Sequence, residues 1–519
     1  MQRMNGIDPM FIYSETSTAP MEVSYTCIFD PSTAPGGYTF ERVRDLLAER
    51  LPTLPPFRRR LMQVPFGLDH PRWVDDPDFD LANHLHRTAL PKPSGEAELS
   101  DLTAELMGRP LQSEQPPWEM HLVEGLSGGR IGLLAKVHHA VIDGMSGAQL
   151  LAQLLDISPE GPAAPEVHTP WLPPALPSGR RLVTEALPRI VTSPIRVIRA
   201  AHEIGRTSLR LARHAADSST APVSIPVGAP AQFGAQVTAR RAVSFAELDL
   251  SEVIALKNRM GVSLNDVVLT VCSGALRTYL ADHGHENLNS LVAVVPVSVR
   301  DESERDSMGN RLSAMFVSLA SDREEPLDRL LAIVGSCASA KAQERAVGYG
   351  AMASAVSDAF PSILAGPALR LGAKLGAVRR LRPGNLVISN VPGPTFPLFF
   401  AGMRMVAVYP IGPVVDGVAL NITVQSYLDS LFVGLNACPT AVPDVAALAC
   451  SVADELSQLI SASEGGRTKP KTGPVARLAP HGDIPPTHAA LPKLETRRPR
   501  PTRKRLAARA KSSVSRPSV

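Results

Sequence analysis

The stretch AKVHHAVIDGMSG, residues 135–147, holds the side chains best suited to chemistry. His138, His139, Asp143 and Gly144 form the pattern His-His-x-x-x-Asp-Gly directly after a short apolar run, RIGLLAKV (130–137). An imidazole with a pKa near about 6.5 can take the proton from a hydroxyl as its oxygen attacks an acyl carbon. A positioned general base contributes about 10² to 10⁴ in rate. Asp143 is close enough in sequence to fix the turn and the histidine geometry, and Gly144 admits a backbone conformation that a side chain would obstruct. Taken alone, two adjacent histidines at a strand end also suit a structural turn or a metal ligand pair. A metal needs further ligands, and no His-x-x-x-His spacing or cysteine cluster supplies them, so no metal site is expected. The chain has no Gly-x-Ser-x-Gly elbow, so direct attack by a bound alcohol is expected in place of a covalent acyl-enzyme.

The histidines need a scaffold, and the hydrophobic periodicity supplies one. The 130–137 run has strand length, TFERVRDLLAERL (39–51) has the apolar spacing of an amphipathic helix, and MSGAQLLAQLLDI from Met145 predicts another. From Ser158 the chain turns Pro-rich, which marks a boundary. Ser193–Pro194 reads as a cap followed by proline at the first helical position. In the helix that follows, Arg196, Arg199, Arg206, Arg210 and Arg213 share a face opposite Val197, Ala201, Ile204, Ser208 and Leu211. That pattern fits a linker helix packed on a domain or an interfacial membrane helix. After the linker TAPVSIPVGAPAQFG a second αβ unit is expected, with helices near 263–280 and 326–343 and strands near 291–297, 385–389 and 418–426. The expected organisation is an N-terminal domain at 1–160, a Pro-rich and basic-helical linker at 161–235, a C-terminal domain at 236–464 and a tail at 465–519. A second cationic helix is expected in LAGPALRLGAKLGAVRRLRP from Leu364, again packing on the core or touching lipid.

Bulk properties agree with this reading. The chain has 519 residues, 44% hydrophobic and 20% charged, which suits two globular domains. Five cysteines, odd in number and scattered, form no Cys-x-x-Cys pair, so a reducing cytoplasm is expected. The first residues lack a basic start followed by an apolar run, so no signal peptide is expected. The most apolar region, 396–424, is interrupted by Arg404, Asp416 and several Pro and Gly residues, so no membrane span is expected there. The net charge of +3 hides an asymmetry: residues 465–519 carry 14 Lys+Arg against 2 Asp+Glu. This tail reads as a disordered basic arm suited to anionic headgroups, to nucleic acid or simply to solubility.

Further stretches carry a family resemblance. FRRRLMQVPFGLDHPRWVDDPDFDLANHLH (57–86), RPLQSEQPPWEMHLVEGL (109–126), SLNDVVLTVCSGALRTYL (263–280), VPVSVR (295–300), MGNRLS (308–313), SNVPGP (389–394) and YPIGPVVDGVALNITVQSY (409–427) join the histidine motif. Together they resemble the bacterial wax ester synthase/diacylglycerol acyltransferases over about residues 5–460. The histidine motif alone reaches only the broader coenzyme A-dependent acyltransferase superfamily. Pro117 stands where that family often has Leu before Trp118, and Glu22 replaces a common His.

The resemblance implies an α/β (α+β sandwich) fold. Two chloramphenicol acetyltransferase-like domains, each a mixed β-sheet flanked by helices, would enclose a tunnel between them. It implies transfer of a long-chain acyl group from acyl-CoA, as co-substrate, to diacylglycerol or a long-chain alcohol, with no permanently bound cofactor. Two other readings stay open: an acyltransferase drawing on an acyl-carrier protein, and a non-catalytic lipid-surface protein. His139 would be the base, His138 its support, Asp143 structural, and Asn265 either a polar group near the reacting carbonyl or part of a helix cap with Ser263. The expected surroundings are the inner face of the plasma membrane or a lipid droplet, without nucleic acid.

Overall fold

Every residue of strand β7 (Ile131–His138) is buried, as a run apolar but for Lys136 and the closing His138 predicts for a strand covered on both faces. In this computed structural model β7 lies between β2 (Glu22–Asp30) and β6 (Trp118–Leu126), antiparallel to both. β5 (Leu85–Ser94) runs parallel to β6 at one edge. The opposite edge is β13 (Met403–Ile411) with the short β12 (Phe399–Phe400), giving the order β12-β13-β2-β7-β6-β5. The structure describes residues 1–4, 7–141, 154–161, 174–217, 233–285, 289–298, 312–347 and 384–465, with 357, 367–368 and 371–372.

The second sheet has six strands in the order β10-β9-β11-β14-β15-β8. These are β8 (Ala242–Asp249), β9 (Val292–Ser298), β10 (Leu312–Ser318), β11 (Leu386–Val391), β14 (Leu420–Tyr427) and β15 (Ser430–Ala437). β11 is parallel to both β9 and β14, and the remaining pairs are antiparallel. A small sheet of β1 (Gln2–Arg3), β3 (Arg59–Met62) and β4 (Arg72–Asp75) flanks the first. The α/β class, with mixed sheets flanked by helices, is therefore as the sequence predicts.

The helices begin where their sequences cap them. Thr39 opens α2 (Phe40–Arg50), its side chain accepting from the Arg42 amide at 3.2 Å. Asp249 caps α5 (Leu250–Met260), and Ser263 with Asp266 forms a reciprocal capping box at the start of α6 (Leu264–Asp282). The other described helices of eight residues or more are α3 (Glu96–Met107), α4 (Gly179–Asp217), α7 (Pro326–Val347) and α8 (Val445–Gly465); the short α1 (Asp8–Ser14) precedes β2. By length and composition α8 could cross a membrane, but its buried Leu448, Val452, Leu456 and Leu459 belong to the core of the second sheet. It is a core helix.

Within residues 236–464, β12 and β13 join the first sheet: β13 pairs with β2 from Arg404↔Asp30 to Ile411↔Ser24. The physical reason is a complementary apolar edge: Met403, Met405, Val408, Tyr409 and Ile411 are all buried there. One sequence expectation needs correction: the long helix opens at Gly179, not at Ser193, and contains both Pro188 and Pro194. Tertiary packing overrides the local proline signal: Leu182 and Ala186 are buried against Val64, and Glu185 accepts from Arg72 at 2.7 Å. Most of the helices expected from Met145 and Leu364, and all of the basic tail after Gly465, lie outside the described residues; of the two helices only 154–157, 367–368 and 371–372 are described.

The crossover strand joins the sheets by close approach. Tyr409 of β13 stacks on Phe245 with ring centroids 4.3 Å apart and meets Phe432 edge-on at 5.4 Å. Gly434 of β15 faces the same strand, where an added Cβ would stand 2.1 Å from the Pro410 carbonyl oxygen. A Gly434→Ala substitution must push the strands apart. We expect it to lower stability by about 1–3 kcal/mol, read as a shifted urea midpoint, whereas an unchanged midpoint would show that the joint is loose.

Candidate active site

β7 ends at His138, and the chain then turns so that the backbones of both histidines are tied to neighbouring strands. The His138 amide donates to the Pro117 carbonyl at 3.0 Å, and the His139 amide to the Met21 carbonyl at 2.8 Å. The Ala140 amide donates to His138 Nδ1 at 3.1 Å, which places the proton of a neutral His138 on Nε2. That nitrogen lies 3.5 Å from Glu15 Oε2. Pro117, a departure from the family pattern, thus contributes the one group that proline keeps, its carbonyl. Trp118 beside it is anchored by its indole N–H to the Phe57 carbonyl at 2.8 Å and by stacking on His84 at 4.5 Å.

The His139 ring stacks on Phe11 of α1, centroids 4.1 Å apart and planes 19° from parallel. Part of the residue surface stays open, but the ring is closely surrounded. This desolvation, followed by the nearby His138, pushes its pKa down to about 4. At neutral pH His139 is therefore an uncharged imidazole able to accept a proton. Its Nδ1 is buried and has no hydrogen-bond partner among the described residues. Asp143 and Gly144 lie outside the described residues.

Asn265 occupies the first turn of α6, half-buried. The helix cap is made by Ser263 and Asp266 instead: the Asp266 carboxylate accepts from the Ser263 amide at 2.9 Å and from its hydroxyl at 2.6 Å. The capping function is filled, and Asn265 is not part of it.

Sequence reasoning missed the buried charge beneath the histidines. Lys136, fully buried and two residues before His138, lies 2.8 Å from Glu22 Oε2 and 3.2 Å from Glu119 Oε1, and donates to the Leu106 carbonyl at 2.8 Å. Glu22 also accepts from the Leu111 amide at 2.5 Å, and it pairs across the sheet with His138. Burial raises the Glu22 pKa, and Lys136 opposes that rise. The signal was present, since period-two alternation puts Glu22, Ser24 and Thr26 on one face of β2 and Lys136 and His138 on one face of β7. Phe11 carried no signal, because its contact with His139 spans more than a hundred residues.

One group of metal-type donors exists among the described residues. His86, Glu119 and His121 bring their donor atoms within 4.8 Å of one another. Burial disfavours a charged Glu119, but His121, 3.7 Å away, and the Lys136 ammonium prevail and hold its pKa at about 2. Of the three, Glu119 has the Lys136 ammonium as its partner at 3.2 Å.

The two-sheet fold is shared with peptide-synthetase condensation domains. The first condensation domain of the CDA synthetase shares the fold alone, at 16% identity and a TM-score of 0.54 over 89% of this chain and 96% of that one. Residues 4–268 match the wax ester synthase/diacylglycerol acyltransferase catalytic domain, and residues 308–460 match the WS/DGAT C-terminal domain. The chain belongs to the wax ester synthase/diacylglycerol acyltransferase family. A Mycobacterium tuberculosis (strain CDC 1551 / Oshkosh) protein, provisionally named a diacylglycerol O-acyltransferase, is 35% identical over 472 residues, 89% of this chain and 91% of that one. The wax ester synthase/diacylglycerol acyltransferase from Marinobacter aquaeolei VT8 has a similar structure, with a TM-score of 0.63 at 26% identity, covering 89% of this chain and all of that one.

Removing one partner of a buried pair strands the other charge, which costs about 3–5 kcal/mol. Glu22→Ala is therefore expected to lower the urea midpoint strongly, and Glu22→Leu combined with Lys136→Met to recover most of the loss. A Glu22→Ala protein as stable as the native one would remove the pair from its structural role.

Proposed function

We propose that this chain transfers a long-chain acyl group from coenzyme A to the hydroxyl of diacylglycerol, and secondarily to a long-chain alcohol. The observation that carries the reading is His139, a neutral, desolvated imidazole held at the end of β7 in a chain of this family. The acceptor hydroxyl gives its proton to the imidazole as its oxygen attacks the thioester carbonyl. The tetrahedral intermediate then collapses, the carbon–sulfur bond breaks, and the coenzyme A thiolate recovers the proton from the imidazolium. Ester and free thiol leave, and the enzyme is unchanged. The low pKa keeps His139 unprotonated, and the stack on Phe11 fixes the ring plane.

In this reading His138 orients the turn through the Ala140 amide, Asp143 and Gly144 shape its continuation, and Asn265 faces the developing oxyanion from α6. A single amide donor there is worth about 3 kcal/mol. A tunnel between the two halves admits coenzyme A from one side and the lipid from the other. Acyl-CoA comes and goes as a co-substrate, with no cofactor held between turnovers. The protein works on the inner face of the plasma membrane or on a lipid droplet, where its acceptors are.

The test is release of free coenzyme A from palmitoyl-CoA with diacylglycerol, hexadecanol or no acceptor. Release should depend on acceptor and fall by about 10² to 10⁴ in His139→Ala. Because the base form persists while pH falls, kcat/KM should hold its plateau through pH 6 and drop only near the His139 pKa of about 4. Equal release by both proteins would remove His139 from the reaction.

A further inference from the structure

Among the described residues, half of the markedly exposed large apolar side chains lie on one helix. Leu187, Ile190, Val191, Ile195, Ile198 and Leu209 of α4 are 49%, 37%, 77%, 54%, 68% and 51% exposed. At 3.6 residues per turn they fall within about 140° of arc. Away from that arc, Leu182 and Ala186 are buried against Val64, so the helix already has a face packed on the protein. The outward stripe is a second apolar face.

Charge says what covers it. The helix carries eight arginines against three carboxylates, and the exposed Arg199 and Arg206 flank the stripe. A second copy would bring the same positive charge against it, whereas phosphate headgroups complement it. An independent feature stands beside the first turn of the helix. Phe66 is 84% exposed and held at φ 59°, a left-handed conformation costly for an aromatic residue, while the adjoining Pro65 approaches Gly179 of α4. A strained turn that presents an aromatic ring to solvent fits an interfacial anchor.

We propose that α4 docks this protein on an anionic lipid surface, lying along it with the Leu187–Leu209 stripe among the acyl chains and the arginines at the phosphates. The purpose of this docking, delivering a lipid alcohol to His139, rests on the acyltransferase reading; the surface itself does not.

The experiment is co-sedimentation of the full chain with phosphatidylcholine vesicles, with and without phosphatidylglycerol. The native protein should bind the phosphatidylglycerol vesicles and lose binding as salt rises. Ile195→Asp with Ile198→Asp should cut partitioning at least about tenfold, whereas Ile195→Leu with Ile198→Leu should retain it. Thermal melting of both variants should match the native protein, because the replaced side chains face solvent. Native-like binding by the aspartate variant would overturn the proposal and assign binding to the basic tail or another surface. Failure of the native protein to bind would overturn it too, as would a native dimer that the aspartates split without any vesicle binding. Coenzyme A release with a water-soluble short-chain alcohol separates the two readings. If no protein releases thiol yet binding depends on α4, the acyltransferase reading falls and the docking surface stands.

Discussion

The pairing of β2 with β7 is the contact on which the rest of the structure depends. It lies at the centre of the first sheet, runs from Glu22↔His138 to Phe29↔Ile131, and continues one residue further in the His139 amide bond to Met21. A shift of one residue would turn every side chain of β7 to the opposite face. Lys136 guards against that shift, because a fully buried ammonium must meet Glu22 and the Leu106 carbonyl, whereas the alternate residues Leu133, Ala135 and Val137 pack in an apolar core. The buried charge and the position of the histidines are thus one constraint seen from two sides.

A second constraint joins the halves of the chain. By entering the first sheet next to β2, β13 places residues from the C-terminal half one strand away from the strand that carries the histidines. The Tyr409, Phe245 and Phe432 rings and the bare backbone at Gly434 keep β13 close to the second sheet as well. A single strand therefore touches both layers. A site that needs groups from both layers requires such a link, since effects of geometry on rate grow steeply with small displacements.

Much of this was legible beforehand. The strand at 130–137, the helices at 39–51, 263–280 and 326–343 and the strands near 291–297, 385–389 and 418–426 appear within a few residues of their expected places, because each has strong periodicity and a local cap or turn, whereas β10 and β15 were not anticipated. The histidine pair at the end of β7 was legible for the same reason. Long-range choices were not. Nothing local to residues 399–411 says which sheet they will join, and the proline at 194 suggested a start to a helix already under way from Gly179. Phe11 over His139 depends on a tertiary contact that period and composition do not encode, whereas for Glu22 and Lys136 alternation gives the faces but not the pairing of the two strands. The outward stripe of α4 was half legible: the amphipathic pattern was visible, but which apolar side chains stay uncovered is decided by packing.

The central claim is that burial against Phe11 holds His139 as a neutral imidazole well below the ordinary histidine range. Titration of the protein with ring-labelled histidine, followed by NMR and assigned through the His139→Ala variant, measures this directly. The account predicts a His139 resonance that stays in its neutral position through pH 6 and shifts only near about 4, with Phe11→Ala moving the midpoint upward. A midpoint near about 6.5, unmoved by Phe11→Ala, would contradict it and mean that the imidazole is solvated like that of a surface histidine.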